Sequence, residues 1–406
     1  MLQLHQNSLI YIGKDSYRLL QEPKENHREH ANFTTWNVPV KKEATEEIYF
    51  LKYTEEEDEA AVRLLKREGQ FKMYYPFIEH VYDSFSGKDE AGNRLYGVLA
   101  EYIDGLDLRS FRKGKHLVGE GEKEMFRGMM QLLRGVRYYL EFLKDDPFVH
   151  RDLKPENIMI SRDGKRIVIS DFDWAHIPKS EGTRFVSSIG GTLGYADPRA
   201  WTSNVTDVKM DIYSLGRILF FWVKGHDYFS DAESKIYFEK EHRELAYGSC
   251  IDRFPVKYQE EQYRPFREIL AKMVAAPEKR YESITEILKD MISFLISYYG
   301  EEVYERTFQE SSLLLMPENR SYDEKVRFGY SCSSDHIRVH TDVKNFSMRD
   351  YIIKNVIVMT LYCLDGRLYY IPIHPDLRKE KEDGSYEIKD DDVFYFGKET
   401  IDFVVW

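Results

Sequence analysis

The chain has 406 residues, of which 42% are hydrophobic and 32% are charged, and this balance excludes an intrinsically disordered protein. A formal net charge of −12 argues against nucleic acid or an anionic membrane as a partner, since both attract basic surfaces. The three cysteines lie far apart, so we expect neither a zinc site nor a disulfide framework, and instead a reducing, cytoplasmic setting.

The N-terminal part, up to about residue 104, is predicted to form mostly strands with one helix. Aromatic and β-branched runs such as NFTTWNVPV and EIYFLKYT are typical of strands, whereas DEAAVRLLKRE has the apolar spacing of a helix. The opening MLQLHQNSLIYIGKD has neither the basic region nor the long apolar region of a signal peptide, so none is expected.

Helices are predicted to dominate residues 105–300, because long segments such as EMFRGMMQLLRGVRYYLEFL and ITEILKDMISFLISYY carry apolar stripes. The strongest apolar run, ILFFWV at 218–223, is too short to span a bilayer. We therefore expect no membrane partner.

A dense polar motif, HRDLKPEN, lies within this helical part and precedes an apolar strand. Phosphoryl transfer from a nucleotide requires a carboxylate at the acceptor hydroxyl, cations over the phosphates and oxygen ligands for Mg²⁺. Asp152 can orient the hydroxyl, and Lys154 can stabilise charge on the moving phosphoryl group. Asn157 can serve as a neutral Mg²⁺ ligand. Asp171, in SDFDWA after the strand-like RIVIS, can bridge Mg²⁺ to the phosphates.

The C-terminal part returns to strands from about residue 326. Its LDGRLYYIPI has an Asp-Gly pair between two strand-like runs, which predicts a hairpin. The number of strands and their alternation predict a small all-β domain, with an immunoglobulin-like sandwich as the expected form. It could recruit a substrate or another protein partner, cover the helical part or dimerise.

The motifs resemble those of the eukaryotic-type serine/threonine protein kinases over about residues 15–300. Besides HRDLKPEN and SDFDWA, the resemblance rests on YFLK, GTLGYADP, DIYSLG and PEKRYESITEIL in that order. It implies an α+β, bilobal protein-kinase fold that binds ATP between the lobes, followed by the small all-β domain. The predicted parts are an N-lobe at 1–103, a C-lobe at 104–300, a connector at 301–325 and a β-rich domain at 326–406.

The same resemblance assigns residues of the ATP site. Lys52 of YFLK is implied to contact the ATP phosphates and to pair with a glutamate, either Glu68 or, as the alternative, Glu59. Alternatively, either glutamate could lie on a solvent-exposed helix face without pairing with Lys52.

The segment LYGVLAEYIDGLDL resembles the family's adenine-binding strand and hinge. The resemblance implies that backbone groups of Glu101 and Ile103 meet the purine edge and that Asp107 hydrogen-bonds the ribose. It places Ala100 at the gatekeeper position, where a small residue should open a pocket behind the adenine.

Three departures from the family pattern stand out. The turn expected to bind the phosphates, PKENHREHA, has no glycine, and Gly13 is the alternative glycine for this loop. The side chains of His27, Arg28 and His30 could bind the phosphates in place of backbone amides, or the turn could simply be a charged, solvent-exposed one. Asp173 stands where the family has glycine, which should restrict flipping of that segment.

The third departure is Arg199, which stands where the family has a glutamate that pairs with the buried arginine, here Arg280. Two arginines cannot form that pair, and an unpaired buried charge is costly. Either Arg280 finds another carboxylate or this corner is rearranged.

Regulation is suggested by Arg151, because an arginine next to the catalytic aspartate can bind a phosphate on the activation loop. Candidate acceptors in that loop are Thr183, Ser187 and Ser188. Thr192 is expected to contact Asp152 and Lys154 rather than to accept phosphate, and His150 is expected to support Phe172.

The leading hypothesis is therefore an ATP- and Mg²⁺-dependent kinase that phosphorylates serine and threonine in protein substrates, with autophosphorylation in the activation loop. A pseudokinase that acts as a regulatory binding module is the first alternative, supported by the glycine-free turn and the lost Glu–Arg pair. A small-molecule kinase ranks third, because such enzymes usually lack the complete HRDLKPEN and GTLGY motifs.

Overall fold

The computed structural model of this chain describes most of its residues, and the C-terminal part is described in shorter pieces. The described residues are 4–27, 33–70, 73, 77–113, 120–142, 149–175, 191–201, 207–238, 247–248, 251–308, 328–333, 336–341, 348–353, 356–364, 367–372, 376–381, 385–390, 392–397 and 399–405. Internal contacts divide the chain into two compact units, residues 1–118 with 131–288 and residues 119–130 with 289–406. The four-part division proposed from the sequence stays a prediction.

An antiparallel sheet of seven strands forms the N-terminal part of the first unit. The strands are β1 (Leu9–Ile12), β2 (Asp15–Leu19), β3 (Lys24–His27), β4 (Thr34–Lys42), β5 (Ile48–Glu55), β6 (Val81–Asp89) and β7 (Arg94–Glu101). Their order is β2-β1-β6-β7-β5-β4-β3, and β2 also pairs with β4, so the sheet closes on itself. Alternate side chains such as Val38, Val40 and Leu51 are fully buried and form its core.

One helix, α1 (Glu59–Glu68), packs beside this sheet. Asp58 caps its start, because its carboxylate accepts the backbone N–H of Ala61 at 3.0 Å. Val62 and Leu65 turn an apolar face toward a cluster that includes residues of β6 and β7. Glu68, the last residue of the helix, follows Leu65 by three residues and therefore lies on the same buried face.

Seven further helices and a small three-stranded sheet lie among the described residues from 105 to 308. The helices are α2 (Leu108–Arg112), α3 (Glu120–Arg137), α4 (Val208–Lys224), α5 (Asp231–Phe238), α6 (Arg264–Met273), α7 (Ile284–Tyr299) and α8 (Glu301–Thr307). The strands are β8 (Gly105–Asp107), β9 (Ile158–Ser161) and β10 (Ile167–Ile169), in the order β10-β9-β8. Within the described part of the chain, no helix combines the length and the apolar content that a membrane span requires.

Helix α4 is buried along most of its length, because every residue from Met210 to Val223 is buried. Gly216 permits a close approach of α6, since a Cβ atom there would lie 2.6 Å from Cγ1 of Val274. Gly225 ends the helix in the left-handed region at a φ of 83°. This buried helix provides a rigid base for the loop that carries Asp152.

Besides residues 120–130 of α3, residues 289–299 of α7 and all of α8, the described residues of the second unit form two β-sheets. Its strands are β11 (Phe328–Ser333), β12 (His336–Thr341), β13 (Met348–Ile353), β14 (Val356–Leu364), β15 (Arg367–Pro372), β16 (Leu377–Lys379), β17 (Glu387–Ile388), β18 (Val393–Phe396) and β19 (Glu399–Val405). They form a sheet of order β11-β12-β19-β18-β16 and a sheet of order β13-β14-β15-β17.

The hairpin predicted from LDGRLYYIPI is present, because β14 and β15 pair from Leu364 and Arg367 onward. Both sheets contribute to one hydrophobic cluster, with Leu361 from one and Phe394 from the other. The β-rich character is confirmed, whereas the immunoglobulin-like form stays a prediction.

Candidate active site

The carboxylate of Asp152 is held on both of its oxygens. Lys154 Nζ donates to Oδ2 at 2.7 Å, and Thr192 Oγ1 donates to Oδ1 at 2.8 Å. Although burial works in the opposite direction, Asp152 raises the pKa of Lys154, so the ammonium stays charged. The sequence led us to expect that Thr192 contacts both Asp152 and Lys154, and the contact with Asp152 is present.

The loop that carries Asp152 is anchored on the buried Asp211 of α4. The backbone N–H groups of His150 and Arg151 donate to its two oxygens at 2.8 and 3.0 Å, and Tyr139 donates its hydroxyl at 3.0 Å. Burial raises the pKa of Asp211, and these donors partly offset that shift. Arg151 adopts a φ of 70°, which is unusual for a residue with a side chain and is maintained by these contacts.

A hairpin brings Asn157 and Asp171 to one end of a sheet. Asn157 directly precedes β9, and Ile158 of β9 pairs with Ile169 of β10, just before Asp171. The backbone N–H of Ser170 donates to the Asn157 carbonyl at 3.0 Å, which fixes the two segments together. His150 packs on Phe172 with ring centroids 4.7 Å apart, as the resemblance implied.

The donor set at this end fits Mg²⁺. Asn157 uses its amide nitrogen on the carbonyl oxygen of Asp152 at 2.9 Å, so its amide oxygen is directed elsewhere. Asp171 supplies a carboxylate that is 18% exposed. Mg²⁺ in nucleotide sites is typically held by one or two protein oxygens together with phosphates and waters, and these two side chains meet that requirement.

Lys52 of β5 joins α1 to the segment after β10. Its Nζ lies 2.5 Å from Glu68 Oε1 and 2.9 Å from Asp171 Oδ1. Burial alone would lower the pKa of Lys52, but the charges of Asp171 and Glu68 outweigh it and raise the pKa well above its usual value. Glu68 is therefore the partner of Lys52 in this structure. Glu59 is exposed in the first turn of α1, where the helix dipole stabilises a negative charge.

The predicted hinge follows β7. Glu101 ends that strand and donates its backbone N–H to His80 at 2.8 Å, while its carboxylate forms a two-point ion pair with Arg166. Ile103 lies partly buried in the next segment. Asp107 caps α2 by accepting the N–H of Ser110 at 2.9 Å, which the sequence did not suggest.

The first half of the predicted phosphate turn PKENHREHA is a strand, because its residues Lys24–His27 form β3 and pair with β4. Arg28 and His30 lie outside the described residues. The alternative glycine, Gly13, belongs to the tight turn between β1 and β2 at a φ of 59°. Gly13 therefore lies outside the segment that joins β3 to β4.

Asp173 is accommodated without glycine's freedom. Phe172 to Trp174 form a single 3₁₀ turn, and the backbone of Asp173 does not adopt a positive φ. The left-handed position is that of Asp171, at a φ of 68°. The substitution for glycine thus costs no backbone strain in this conformation.

Arg280 finds another carboxylate, Asp197 of the same ADPR segment. Its Nη1 lies 2.5 Å from Asp197 Oδ2, and both side chains are fully buried. Arg199 approaches Asp197 at 2.9 Å and also Asp207 at 2.5 Å. Although burial works against it, Arg199 and Arg280 together lower the pKa of Asp197. Of the two alternatives left by the sequence, the substitute carboxylate is the one found.

Glu79 is a site residue that sequence reasoning missed. It is 4% exposed, and the backbone N–H of Asp171 donates to its Oε2 at 3.4 Å. Burial raises its pKa to about 7, and the negative charge of Glu68 adds to that shift, whereas Lys52 opposes it. The available signal was a glutamate directly after the apolar residues Phe77 and Ile78.

This raised pKa predicts a pH-dependent stability. The folded state binds the Glu79 proton more tightly than the unfolded state, so the stabilisation is complete below the ordinary value of 4.5 and is lost as pH rises through about 7. Glu79→Gln has no such dependence. We expect this variant to exceed the wild type by about 2 kcal/mol in unfolding free energy at pH 8, and by much less near pH 5. Urea denaturation at both pH values measures the difference.

Glu59→Gln is the matched control, because Glu59 is exposed on α1. It should follow the wild type at both pH values. A gap between wild type and Glu79→Gln that is equal at pH 5 and pH 8 would show that Glu79 is ionised throughout.

Known proteins with similar sequences are protein kinases. The protein kinase domain family matches residues 38–292. A probable serine/threonine-protein kinase of Streptomyces coelicolor is 31% identical over 161 residues, covering 38% of this chain and 22% of that protein. The serine/threonine-protein kinase PrkC of Bacillus subtilis is 28% identical over 194 residues, or 47% of this chain and 28% of that protein.

The serine/threonine-protein kinase PknB of Mycobacterium tuberculosis is 26% identical over 254 residues, covering 61% of this chain and 36% of that protein. Each match thus spans well under half of the relative. The family match, by contrast, includes the strand of Lys52, the loop of Asp152 and the segment of Arg280. The chain therefore belongs to the protein kinase family, as the resemblance of its motifs predicted.

Proposed function

We propose that this chain is an ATP- and Mg²⁺-dependent kinase that transfers the γ-phosphoryl group to serine and threonine hydroxyls of protein substrates. The observation that carries the proposal is the arrangement around Asp152 and Lys52. One carboxylate is held by Lys154 and Thr192, and one buried ammonium is held by Glu68 and Asp171. The names of the three relatives support the serine/threonine class.

We assign to Asp152 the role of positioning the acceptor hydroxyl of the protein substrate. Its carboxylate is oriented by two donors, so it can accept or direct the hydroxyl proton of the substrate in one fixed direction. Lys154, which touches the same carboxylate, can then stabilise charge on the phosphoryl group as it moves. Positioning and electrostatics together supply most of the expected rate gain.

Asn157 and Asp171 are assigned to hold Mg²⁺, which when bound neutralises phosphate charge. Lys52 balances the remaining phosphate charge from the side of β5, and Glu68 fixes its direction. Because Asp171 contacts Lys52 at 2.9 Å, the cation and the metal ligand are held within one hydrogen bond of each other.

We assign to the hinge the binding of the nucleoside part of ATP. Backbone groups of Glu101 and Ile103 would bind the adenine edge, and Asp107 would hydrogen-bond the ribose in addition to capping α2. The ion pair of Glu101 with Arg166 ties the hinge to β10, which leads to Asp171. Gly105, which follows the hinge, permits the close approach of β8 to β9, because a Cβ atom there would lie 1.9 Å from the Ile160 carbonyl oxygen.

Autophosphorylation of the activation loop is part of the proposal. Thr183, Ser187 and Ser188 lie outside the described residues. Burial lowers the pKa of Arg151, and that of Arg67 is lowered by burial and by the charge of Arg151. Two guanidinium groups that repel each other would be stabilised by a phosphate between them.

Mass spectrometry of the purified full chain tests the proposal, with Asp171→Ala as the comparison. Phosphate on serine or threonine of the wild type, absent from the variant, is the expected result. Wild type and variant that both remain unlabelled after incubation with ATP, Mg²⁺ and a mixture of protein substrates would favour the pseudokinase. Of the two departures that favoured that alternative, the glycine-free turn remains, whereas Arg280 has its carboxylate.

The gatekeeper assignment yields a separate prediction. Ala100 is fully buried in β7, directly before the hinge. A purine analogue with a bulky aryl group should inhibit the wild type at least about tenfold more strongly than Ala100→Phe, because a phenyl ring fills the space behind the adenine. Dose–response curves of kinase activity measure this ratio.

The ATP KM of Ala100→Phe serves as the control for misfolding and should remain close to that of the wild type. Equal inhibitor potency on both proteins, with normal ATP binding, would show that the hinge has been assigned to the wrong residues.

A protein partner for the second unit is also part of the proposal. Tyr386 and Tyr395 are 47% and 40% exposed, and exposed aromatic side chains are enriched in binding surfaces. Cross-linking of the wild type and of Tyr386→Glu in cells would test it, and an unchanged set of cross-linked proteins would oppose it. A cytoplasmic location belongs to the same proposal, on the basis of the widely spaced cysteines.

A further inference from the structure

A cluster beside the proposed acceptor site is centred on Arg109 of α2. Its Nη1 and Nη2 donate to the two oxygens of Asp227 at 3.0 and 2.9 Å, and its Nε donates to Glu156. Asp227 lies in the turn after α4, and Glu156 lies between Lys154 and Asn157. One guanidinium thus bridges two carboxylates from two separate segments.

Further contacts hold the guanidinium in this place. The Tyr195 hydroxyl donates to Asp227 and accepts from Arg109 Nη2 at 3.3 Å, and the guanidinium lies 4.9 Å from the ring centroid of Phe221. Burial alone would raise the pKa of Asp227, but Arg109 and Tyr195 outweigh it and lower the pKa. The two-point geometry matches the preference of arginine for carboxylates.

The cluster shares its two segments with the contacts of Asp152. Glu156 follows Lys154 by two residues, and Tyr195 follows Thr192 by three. Because consecutive Cα atoms are about 3.8 Å apart, the Cα atom of Glu156 lies within about 8 Å of that of Lys154, and the Cα atom of Tyr195 within about 11 Å of that of Thr192. We therefore expect a protein segment whose hydroxyl reaches Asp152 to meet the same two segments that hold Arg109.

Exposure makes this cluster accessible to such a segment. The side chains of Arg109, Glu156 and Asp227 are 37%, 42% and 41% exposed. Two half-exposed carboxylates would attract an arginine or lysine of the substrate, but here a guanidinium of the chain itself already satisfies both.

We infer that Arg109 occupies the place of a basic substrate side chain, so that the enzyme selects serine and threonine segments without requiring a basic residue near the acceptor. This inference rests on the proposed function and narrows its substrate class. A purely structural role, in which the cluster ties α2 to the two other segments, would affect stability but not the choice of substrate.

Arg109→Met separates the two roles, because methionine keeps an apolar stem against Phe221 and removes the charge. The assay uses serine peptides that are identical except for one arginine placed in turn at each position around the serine. The wild type should phosphorylate them with less than about twofold difference, whereas the variant should prefer at least one arginine peptide by about tenfold, the size expected for one charge-assisted hydrogen bond.

Three further variants keep the result interpretable. Arg109→Lys retains the charge without the fork and should give a smaller preference. Arg109→Met combined with Glu156→Gln should lose much of the new preference. Arg162→Met, which removes an 81% exposed arginine paired with Asp104, should behave as the wild type. A wild type that already prefers arginine peptides, or an Arg109→Met variant that gains no preference, overturns the inference.

Peptide affinity measured by fluorescence anisotropy, with a non-hydrolysable ATP analogue present, gives a readout that does not need catalysis. The same preference is expected in binding. If no peptide is phosphorylated yet Arg109→Met gains affinity for arginine peptides, the proposed activity fails and the inference about Arg109 stands. If peptides are phosphorylated and no variant changes preference in either assay, the inference alone fails.

Discussion

Replacing Asp152 with asparagine should slow phosphoryl transfer by about 10²–10⁴-fold, the range expected when a positioned general base is lost. Asparagine keeps the shape of the side chain but cannot take up a proton, and its amide would oppose either Lys154 or Thr192 with a donor. Initial rates with saturating ATP and a peptide substrate measure kcat. Nucleotide affinity, measured by calorimetry, should stay close to that of the wild type.

Asp163→Asn is the matched control for this change. Asp163 lies in the exposed turn after β9 and accepts hydrogen bonds from Ser161 and Lys165. The same chemical substitution there should leave kcat within about twofold of the wild type. Retention of most activity in Asp152→Asn would remove the central assignment of the proposed mechanism, whatever the outcome for nucleotide binding.

Local features of the site could be predicted from the sequence because the chain itself keeps them close. Asp152, Lys154 and Asn157 share one loop, and a short hairpin returns the chain to Asp171. The partner of Lys52 could be narrowed to two glutamates by their distance along the chain. Helix α1 resolves that choice, because its buried side ends at Glu68 while Glu59 faces solvent.

Contacts across long sequence distances could not be predicted in the same way. Arg280 is 83 residues from Asp197, and Arg109 is 118 residues from Asp227. Nothing in the local pattern of either arginine specifies its carboxylate, because the pairing depends on how α4 places both segments. Glu79 was missed for a related reason: its importance comes from burial beside Asp171, and burial of a single glutamate leaves no periodic pattern.

Asp197→Asn should lower the free energy of unfolding by about 3–5 kcal/mol, because it leaves the fully buried Arg280 without its carboxylate. Arg280 would keep the backbone carbonyls of Lys209 and Ala275, which carry no full charge. The folded pKa of Asp197 is lowered, so its contribution is present above the ordinary value of 3.8 and is lost only as pH falls through the folded pKa. Urea denaturation at pH 7 and pH 5 should therefore show the same gap.

Asp207→Asn is the comparison that separates the cost of losing a buried ion pair from the cost of losing a partly exposed one. Asp207 pairs with the same Arg199 but is 35% exposed, and it also caps α4 through the N–H of Lys209 at 2.9 Å. A lost cap and a half-exposed ion pair should together cost about 1–2 kcal/mol. If Asp197→Asn is no more destabilising than Asp207→Asn, then the pairing of Arg280 with Asp197 does not replace the Glu–Arg pair of the family. In that case the Arg280 charge would instead be stabilised by cation–π contacts with Tyr213 and Tyr247, whose ring centroids lie 5.1 and 5.7 Å from the guanidinium.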